Sequence, residues 1–255
     1  MATGVLPLML GRATRAIPLL PTHDKCYRAT LRFGFTSDTL DVWGAVTPTG
    51  KALPTATAVA AALPQFRGEI LQVPPMVSAL KKDGVRLYEL ARQGIEVERE
   101  ARPITVYRLE AETYHETTGE LTLLCECSAG TYIRTLCDDL GAVLGCGAVM
   151  TALRRTQAAG YDEAVCYTIE EWEQFAREGT LEAHIHPVDT AFSVYPSVSV
   201  SQAQATRFSN GGALALDRLG NQTVDGITRV YAPDHTFLGL GTPAEGELQV
   251  LRLLG

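Results

Sequence analysis

The stretch SAGTYIRTLCDDLGAVLGCG, residues 128–147, predicts a turn that leads from a strand into a helix. It follows an alternating apolar segment, and the small residues at 128–130 favour a tight turn. Gly145 is a typical helix end, and apolar residues recur before it at the spacing of one helix face, at Ile133, Leu136, Leu140 and Val143. A strand joined to a helix in this way indicates a domain in which helices cover a sheet.

The charge at the start of this helix is unusual. Arg134 falls in the first helical turn, two residues after Tyr132. The N-terminus of a helix favours negative groups, because the aligned peptide dipoles leave a partial positive charge there. Arg134 therefore needs an anion nearby, either a carboxylate or a phosphate.

The segments around this unit predict an α+β protein. A hairpin of strands at 104–114 and 120–127 comes before it, and a strand at 27–35 and helices at 55–66 and 86–93 come earlier still. After a helix at 168–178, the chain changes to a short helix and three short strands, at 201–208, 227–231, 237–241 and 247–254. We expect a mixed-sheet domain over residues 1–186 and a small β-rich domain over 187–255.

Composition fits a protein that folds without metals or disulfides. The chain has 255 residues, 46% of them hydrophobic, and six cysteines without a C-x-x-C pair. We expect reduced, mostly buried thiols and no metal site, since zinc would need further Cys or His at ligand spacing. The apolar N-terminal segment is too short to span a membrane and lacks a signal peptide's basic region, so we expect a cytoplasmic protein.

Four stretches are distinctive when taken together. They are ATGVLP at 2–7, FRGEILQVPPMVSALK at 66–81, GTYIRTLCDDLG at 130–141 and GCGAVMTALRRT at 145–156. In this order they closely resemble the bacterial TruB-type tRNA pseudouridine synthases, from Met1 to about residue 175. The rest resembles, more weakly, the PUA-like module that follows the catalytic domain in many bacterial members.

The resemblance implies an isomerase that acts on tRNA. It implies conversion of uridine 55 in the T loop to pseudouridine, without a cofactor or metal. The target base is stacked inside a folded loop, so it must first be flipped into a pocket. We expect tRNA as the partner, no membrane and a monomer.

The resemblance also implies roles for single residues. It implies that Tyr27 packs on the target base, that Tyr132 contacts the substrate, that Leu153 lines the pocket and that Arg134 pairs with the catalytic carboxylate. Without the resemblance, Tyr27 would be interpreted as a half-buried strand residue and Leu153 as part of the core.

Charge alone argues against a nucleic-acid partner, because the net charge is −7. Basic residues are nevertheless concentrated between 67 and 108, where a mixed solvated surface is the alternative interpretation. With the resemblance in view, we expect phosphate contacts at Lys81, Lys82, Arg154 and Arg155.

The catalytic nucleophile of this family is an Asp in the segment H-x-G-T-L-D-P, which precedes A-T-G-V-L-P. That Asp would lie upstream of Met1, so we expect no catalytic nucleophile within these residues and no partner for Arg134. Asp38 and Asp41 lie near Tyr27 in sequence, but their loop context favours a structural role. Two hypotheses stay open: the chain is part of a full-length synthase, or it is a catalytically inactive tRNA-binding protein.

Overall fold

The computed structural model describes residues 2–219 and 224–255 and divides the chain into two compact units. Unit 1 comprises the chain up to Leu6 together with His23–Cys166. Unit 2 comprises Pro7–Thr22 together with Tyr167–Gly255. The long segment of unit 1 therefore ends at Cys166, and the long segment of unit 2 begins at Tyr167. The domain boundary at 186/187 remains a prediction.

Unit 1 is built on a seven-stranded mixed sheet with the strand order β1-β10-β2-β9-β8-β5, in which β11 also pairs with β10. Its strands are β1 (Thr3–Gly4), β2 (Lys25–Phe33), β3 (Phe35–Ser37), β4 (Val46–Pro48), β5 (Gly68–Gln72), β6 (Lys81–Lys82), β7 (Val85–Arg86), β8 (Arg102–His115), β9 (Glu120–Cys127), β10 (Ala148–Ala158) and β11 (Tyr161–Asp162). Strands β3–β4 and β6–β7 form two separate small hairpins. Its helices are α1 (Ala56–Ala62), α2 (Leu87–Arg92) and α3 (Ile133–Val143), with 3-10 helices at Leu63–Phe66 and Glu163–Val165.

The central strands form because their apolar residues alternate. In β9, every second residue from Leu121 to Cys127 is buried, and these residues face the same core as Leu31 and Phe33 of β2. Helix α3 buries Ile133, Leu136 and Leu140 against this core, as the helical spacing predicts. Four of the six cysteines are buried free thiols, which confirms the expectation of mostly buried thiols.

The long strand β10 was not predicted from the sequence. It pairs with β2 over its whole length, but its register shifts between Met150 and Ala152 and again between Arg155 and Gln157. Each shift breaks the alternation of inward and outward side chains, so no period of two is visible. Gly141 of α3 lets the helix approach this strand closely, because a Cβ there would overlap the backbone at Gly147 and Ala148.

Unit 2 contains a five-stranded sheet with the order β12-β14-β15-β16-β13. Its elements are α4 (Ile169–Glu178), β12 (Ser197–Ser199), α5 (Gln202–Ser209), β13 (Leu214–Ala215), β14 (Thr228–Tyr231), β15 (Phe237–Ala244) and β16 (Glu247–Leu253), with 3-10 helices at Gly11–Leu19, Leu181–His184, Val188–Phe192 and Leu216–Arg218. Thr168 and Ser201 cap α4 and α5 through capping boxes, which fixes both helix starts. Phe208, Val230 and Leu248 are fully buried in its core. Across the described ranges, no helix is both long and apolar enough to cross a membrane.

Candidate active site

The turn between β9 and α3 is held by a side chain from the edge strand β5. Tyr132 occupies the N-cap position of α3, and its backbone N–H donates to Oε1 of Gln72 over 2.8 Å. The amide of Gln72 in turn donates to the backbone carbonyl of Tyr132 over 3.1 Å. Gln72 is only 2% exposed, so this amide fixes the backbone of the turn within the core. Sequence reasoning missed this residue, because nothing in the sequence marks Gln72 as the partner of a residue sixty positions away.

Arg134 points from the first turn of α3 toward a carboxylate. Its Nη1 lies 3.0 Å from Oδ2 of Asp41, and its Nη2 donates to the carbonyl of Val77 over 2.8 Å. The side chains of Arg134 and Asp41 are 21% and 9% exposed. The prediction that Arg134 needs an anion is therefore confirmed, and the anion is a carboxylate.

The expectation that Arg134 lacks a partner within this chain is wrong. Asp41 fills that position, although the two residues are far apart in sequence. The sequence could not reveal the pair, because it depends on a loop from between β3 and β4 reaching the start of α3. Asp41 does have the structural role assigned to it, and this role lies inside the site.

The loop that carries Asp41 is tightly constrained. Oδ1 of Asp41 accepts hydrogen bonds from the hydroxyl of Thr39, over 2.7 Å, and from the backbone N–H of Trp43, over 3.0 Å. Leu40 between them has φ of +63°, a conformation that costs a non-glycine residue free energy. Both carboxylate oxygens of Asp41 are thus occupied, which suits an anchor for Arg134 better than an attacking group.

Asp41 and Arg134 lie in the wall of a cavity of about 250 Å³. Leu153 of β10 also lines it, as the resemblance implies for a pocket residue. The remaining lining residues are Ala2, Trp43, Met150, Thr151 and Ala152. Leu153 packs at the same time against the main core, so the interpretation as a core residue also describes it.

Tyr27 and Tyr132 do not belong to the cavity lining. Tyr27 is half-buried on β2, directly opposite Arg155 of β10 in the sheet. Burial raises the pKa of the Tyr27 hydroxyl, and a hydrogen bond from Arg155 partly offsets this effect. The structure thus brings Arg134 and Leu153 to one cavity, whereas neither tyrosine is part of its lining.

The four residues expected to contact phosphate have different surroundings. Lys82 donates to the carbonyl of Glu98 over 2.7 Å, and Arg154 pairs with Glu163. Arg155 donates to the carbonyl of Val5, at the end of the ATGVLP stretch. Lys81 is exposed on the hairpin of β6 and β7.

Gly4 explains part of the ATGVLP stretch. It lies on β1, which runs parallel to β10 with Gly4 beside Arg155. Its φ is +98°, and a Cβ would overlap the carbonyl of Arg155. Glycine is therefore required for this close approach. Among the residues that the structure describes, no cluster of His, Cys, Asp or Glu could hold a metal ion.

Three family models match successive parts of the chain. "TruB family pseudouridylate synthase (N terminal domain)" matches residues 1–133, and "tRNA pseudouridylate synthase B C-terminal domain" matches residues 134–193. "Pseudouridine synthase II TruB, C-terminal" matches residues 196–254.

Curated relatives are similar over almost the whole chain. tRNA pseudouridine synthase B of Mannheimia succiniciproducens is 43% identical over 243 residues, which is 94% of this chain and 78% of that protein. The protein of the same name from Haemophilus influenzae strain PittEE is 44% identical over 245 residues, with the same coverage. The one from Pseudomonas putida is 42% identical over 258 residues, which is 100% of this chain and 83% of that protein.

Solved structures share the fold at low sequence identity. A Cbf5-Nop10-Gar1 complex contains a chain with a TM-score of 0.69 and 22% identity, covering 100% of this chain and 73% of that one. The archaeal box H/ACA sRNP Nop10-Cbf5 complex gives 0.67 and 19%, covering 100% and 74%. The predicted fold class, a mixed-sheet pseudouridine synthase domain followed by a small β-rich PUA-like part, is confirmed. The chain belongs to the TruB family of pseudouridine synthases.

Proposed function

We propose that this protein takes part in converting uridine 55 in the T loop of tRNA to pseudouridine. The observation that carries the proposal is the Arg134–Asp41 pair in the wall of an open cavity, in a chain of the TruB family. The curated relatives are named as tRNA pseudouridine synthases, which supports tRNA as the substrate. Uridine and pseudouridine are isomers, so the reaction requires no net oxidant, reductant or group donor.

The cavity suits a base that has left its stack. Leu153 and Met150 offer an apolar surface to a flat ring, while the guanidinium of Arg134 offers charge at one end. Arg134 is fixed from two sides, by Asp41 and by the carbonyl of Val77, so its planar group has a defined orientation. In this proposal Arg134 keeps a carboxylate next to the flipped nucleotide in its ionised form, and Asp41 positions Arg134.

In this proposal the nucleophile is the Asp of the H-x-G-T-L-D-P segment implied by the resemblance, and residues 1–255 do not include such a segment. Asp41 is a poor substitute, because hydrogen bonds and the ion pair occupy both its oxygens. We therefore propose that a polypeptide limited to these residues binds tRNA without isomerising it. The same chain extended through the family's H-x-G-T-L-D-P segment would be active.

The test compares these two polypeptides on tRNA transcripts, with pseudouridine mapped at every uridine. The extended polypeptide should modify uridine 55, and a tRNA with cytidine at that position should stay unmodified. Modification at other uridines only would refute the proposed position. Equal rates for both polypeptides would show that an acid within residues 1–255 is the nucleophile, and Asp41→Asn in the short form would then identify or exclude it.

RNA binding is proposed to rest on local rather than net charge. On the hairpin of β6 and β7, Lys81 stands directly opposite Arg86, a pair of like charges that is unfavourable without an anion. Arg86 and Arg92 both lie over the ring of Tyr88, at 5.8 and 5.3 Å, which concentrates further positive charge there. This basic hairpin is the best-supported phosphate contact, whereas Arg154 and Arg155 are engaged within the protein.

The salt dependence of binding tests this basic hairpin. Each phosphate contact should contribute roughly 0.7–0.9 to the slope of log affinity against log salt concentration. Lys81→Ala should reduce the magnitude of the slope by about the contribution of one phosphate contact. Arg177→Ala, on the exposed face of α4, should leave the slope unchanged. An unchanged slope for Lys81→Ala would exclude this contact. Gel filtration of the protein alone and with tRNA would test the proposed monomer.

A further inference from the structure

Trp43 is a large aromatic side chain at the cavity that none of the preceding functions explains. It lines the cavity together with Asp41, Arg134 and Leu153, yet it is 74% exposed. A residue so exposed cannot lie at the floor of a cavity, so the indole stands at its mouth. Large aromatic residues usually bury most of their surface, because exposing it to water is unfavourable.

The backbone that carries this indole is held rigidly. The N–H of Trp43 donates to Asp41, and the N–H of Val42 donates to the carbonyl of Met150 over 3.0 Å. On the other side, Gly44 is packed so closely under the loop that a Cβ would overlap the side chains of Asp38 and Thr39. The turn therefore presents Trp43 at one defined place, next to the ion pair.

We propose that Trp43 stacks on a base next to the target uridine when the RNA is bound. This inference rests on the proposed function. Flipping one nucleotide out of a stack leaves its neighbours without a stacking partner, which costs free energy. A fixed indole at the mouth replaces that lost partner and tolerates any base, since every base has a flat face. Trp43 is thus a substrate-binding residue for the flanking nucleotide, distinct from the groups at the ion pair.

Fluorescence makes this proposal directly measurable, because the chain has two tryptophans, Trp43 and Trp172. Trp172 packs against Tyr167 and Phe175 in unit 2, and Trp172→Phe keeps an aromatic ring there. In that background all tryptophan emission comes from Trp43. Titration with a T-arm RNA hairpin should quench this emission, and the anisotropy of a dye on the same RNA reports binding independently.

Substitution then tests the contact itself. A stacked base contributes about 1–3 kcal/mol, so Trp43→Ala should weaken binding by about 5- to 150-fold, while Trp43→Phe should retain most of it. The fold should persist, since the exposed indole contributes little burial and Ala keeps the backbone N–H. Tyr107→Ala is the matched control: Tyr107 is 51% exposed on β8 and outside the cavity lining, and its removal should leave affinity within about twofold.

Abasic nucleotides identify the partner base. An RNA with an abasic site 5′ or 3′ of the target uridine should bind the parent protein as weakly as Trp43→Ala binds the normal RNA. At the correct flank, Trp43→Ala should cause no further loss. Unchanged emission on RNA that is bound by anisotropy, or equal affinities of Trp43→Ala and the parent, would overturn the stacking proposal and leave the proposed function intact. Absence of any RNA binding would overturn both.

Discussion

Replacing Asp41 by Asn should destabilise unit 1 and reveal an energetic coupling to Arg134. The substitution keeps the size of the side chain and its Oδ1 acceptor, so the hydrogen bonds from Thr39 and Trp43 can persist. It removes the negative charge that faces Arg134 over 3.0 Å. The guanidinium is then left in a largely buried position, with the carbonyls of Val77 at 2.8 Å and Thr39 at 3.5 Å as its remaining acceptors.

The magnitude follows from how buried the pair is. Breaking a fully buried ion pair by removing one partner costs about 3–5 kcal/mol. The Arg134 side chain is 21% exposed and keeps its hydrogen bonds to the carbonyls of Val77 and Thr39, so solvent and these carbonyls compensate for part of this loss. We expect a decrease of about 2–3 kcal/mol in the free energy of unfolding of unit 1.

Urea unfolding in the Trp172→Phe background measures this value, because the remaining tryptophan lies in unit 1. A double-mutant cycle with Arg134→Met isolates the pairwise term. Removing both charges should cost less than the sum of the single changes, with a coupling of about 2 kcal/mol, since replacing a whole buried pair is often nearly neutral. Additive effects within about 0.5 kcal/mol would refute the reasoning, since the contact would then contribute nothing specific.

Three further predictions concern the supports of the site. Gly141→Ala should lower the free energy of unfolding of unit 1 by about 1–3 kcal/mol in urea, because its Cβ would overlap the backbone near β10. The control is Gly145→Ala, where φ is +74° but the space is open, and it should lower this free energy by about 1 kcal/mol. Equal losses for the two variants would contradict the packing argument. Gln72→Leu should lower the free energy of unfolding by about 2–4 kcal/mol, since it leaves the N–H and carbonyl of Tyr132 without the side-chain amide that binds them. A decrease below about 1 kcal/mol would show that water replaces the amide. Burial raises the pKa of Asp139 to about 6, so its carboxyl group binds a proton more tightly in the folded than in the unfolded protein. The folded protein therefore loses stability as the pH rises from about 4 to 6. Asp139→Asn should therefore raise the melting temperature by roughly 2–4 °C at pH 8, after allowance for solvent screening, and leave it unchanged at pH 4. The same increase at both pH values would exclude the carboxylate charge as the cause.

Regular elements were predictable where local signals and tertiary contacts agree. The hairpin of β8 and β9, helix α3 and the three strands β14 to β16 lie within a few residues of their predicted positions. In each, the periodicity of apolar residues matches the burial that the fold imposes. The helix predicted at 55–66 is α1 followed by a 3-10 turn, because Pro64 cannot donate the hydrogen bond that an α-helix requires.

Only those features of the site that depend on neighbouring residues in the sequence were predictable. The unusual position of Arg134 at a helix start showed that an anion was required, and the resemblance identified Leu153 as a pocket residue. Neither could identify Asp41, Trp43 or Gln72, because their roles depend on distant segments meeting in space. Long-range pairs of this kind leave no periodic signal in a single sequence.

The irregularity that concealed β10 also builds the cavity. Its first register shift lies between Met150 and Ala152, and these residues and Thr151 line the cavity. At the same place, backbone bonds from Met150 hold the loop with Asp41 and the strained Leu40 against the strand. A regular strand would continue the sheet pairing here, whereas the bulge frees a residue and re-aims its neighbours toward the loop. Strain and broken periodicity therefore coincide with the site, as expected where local rules are violated for function.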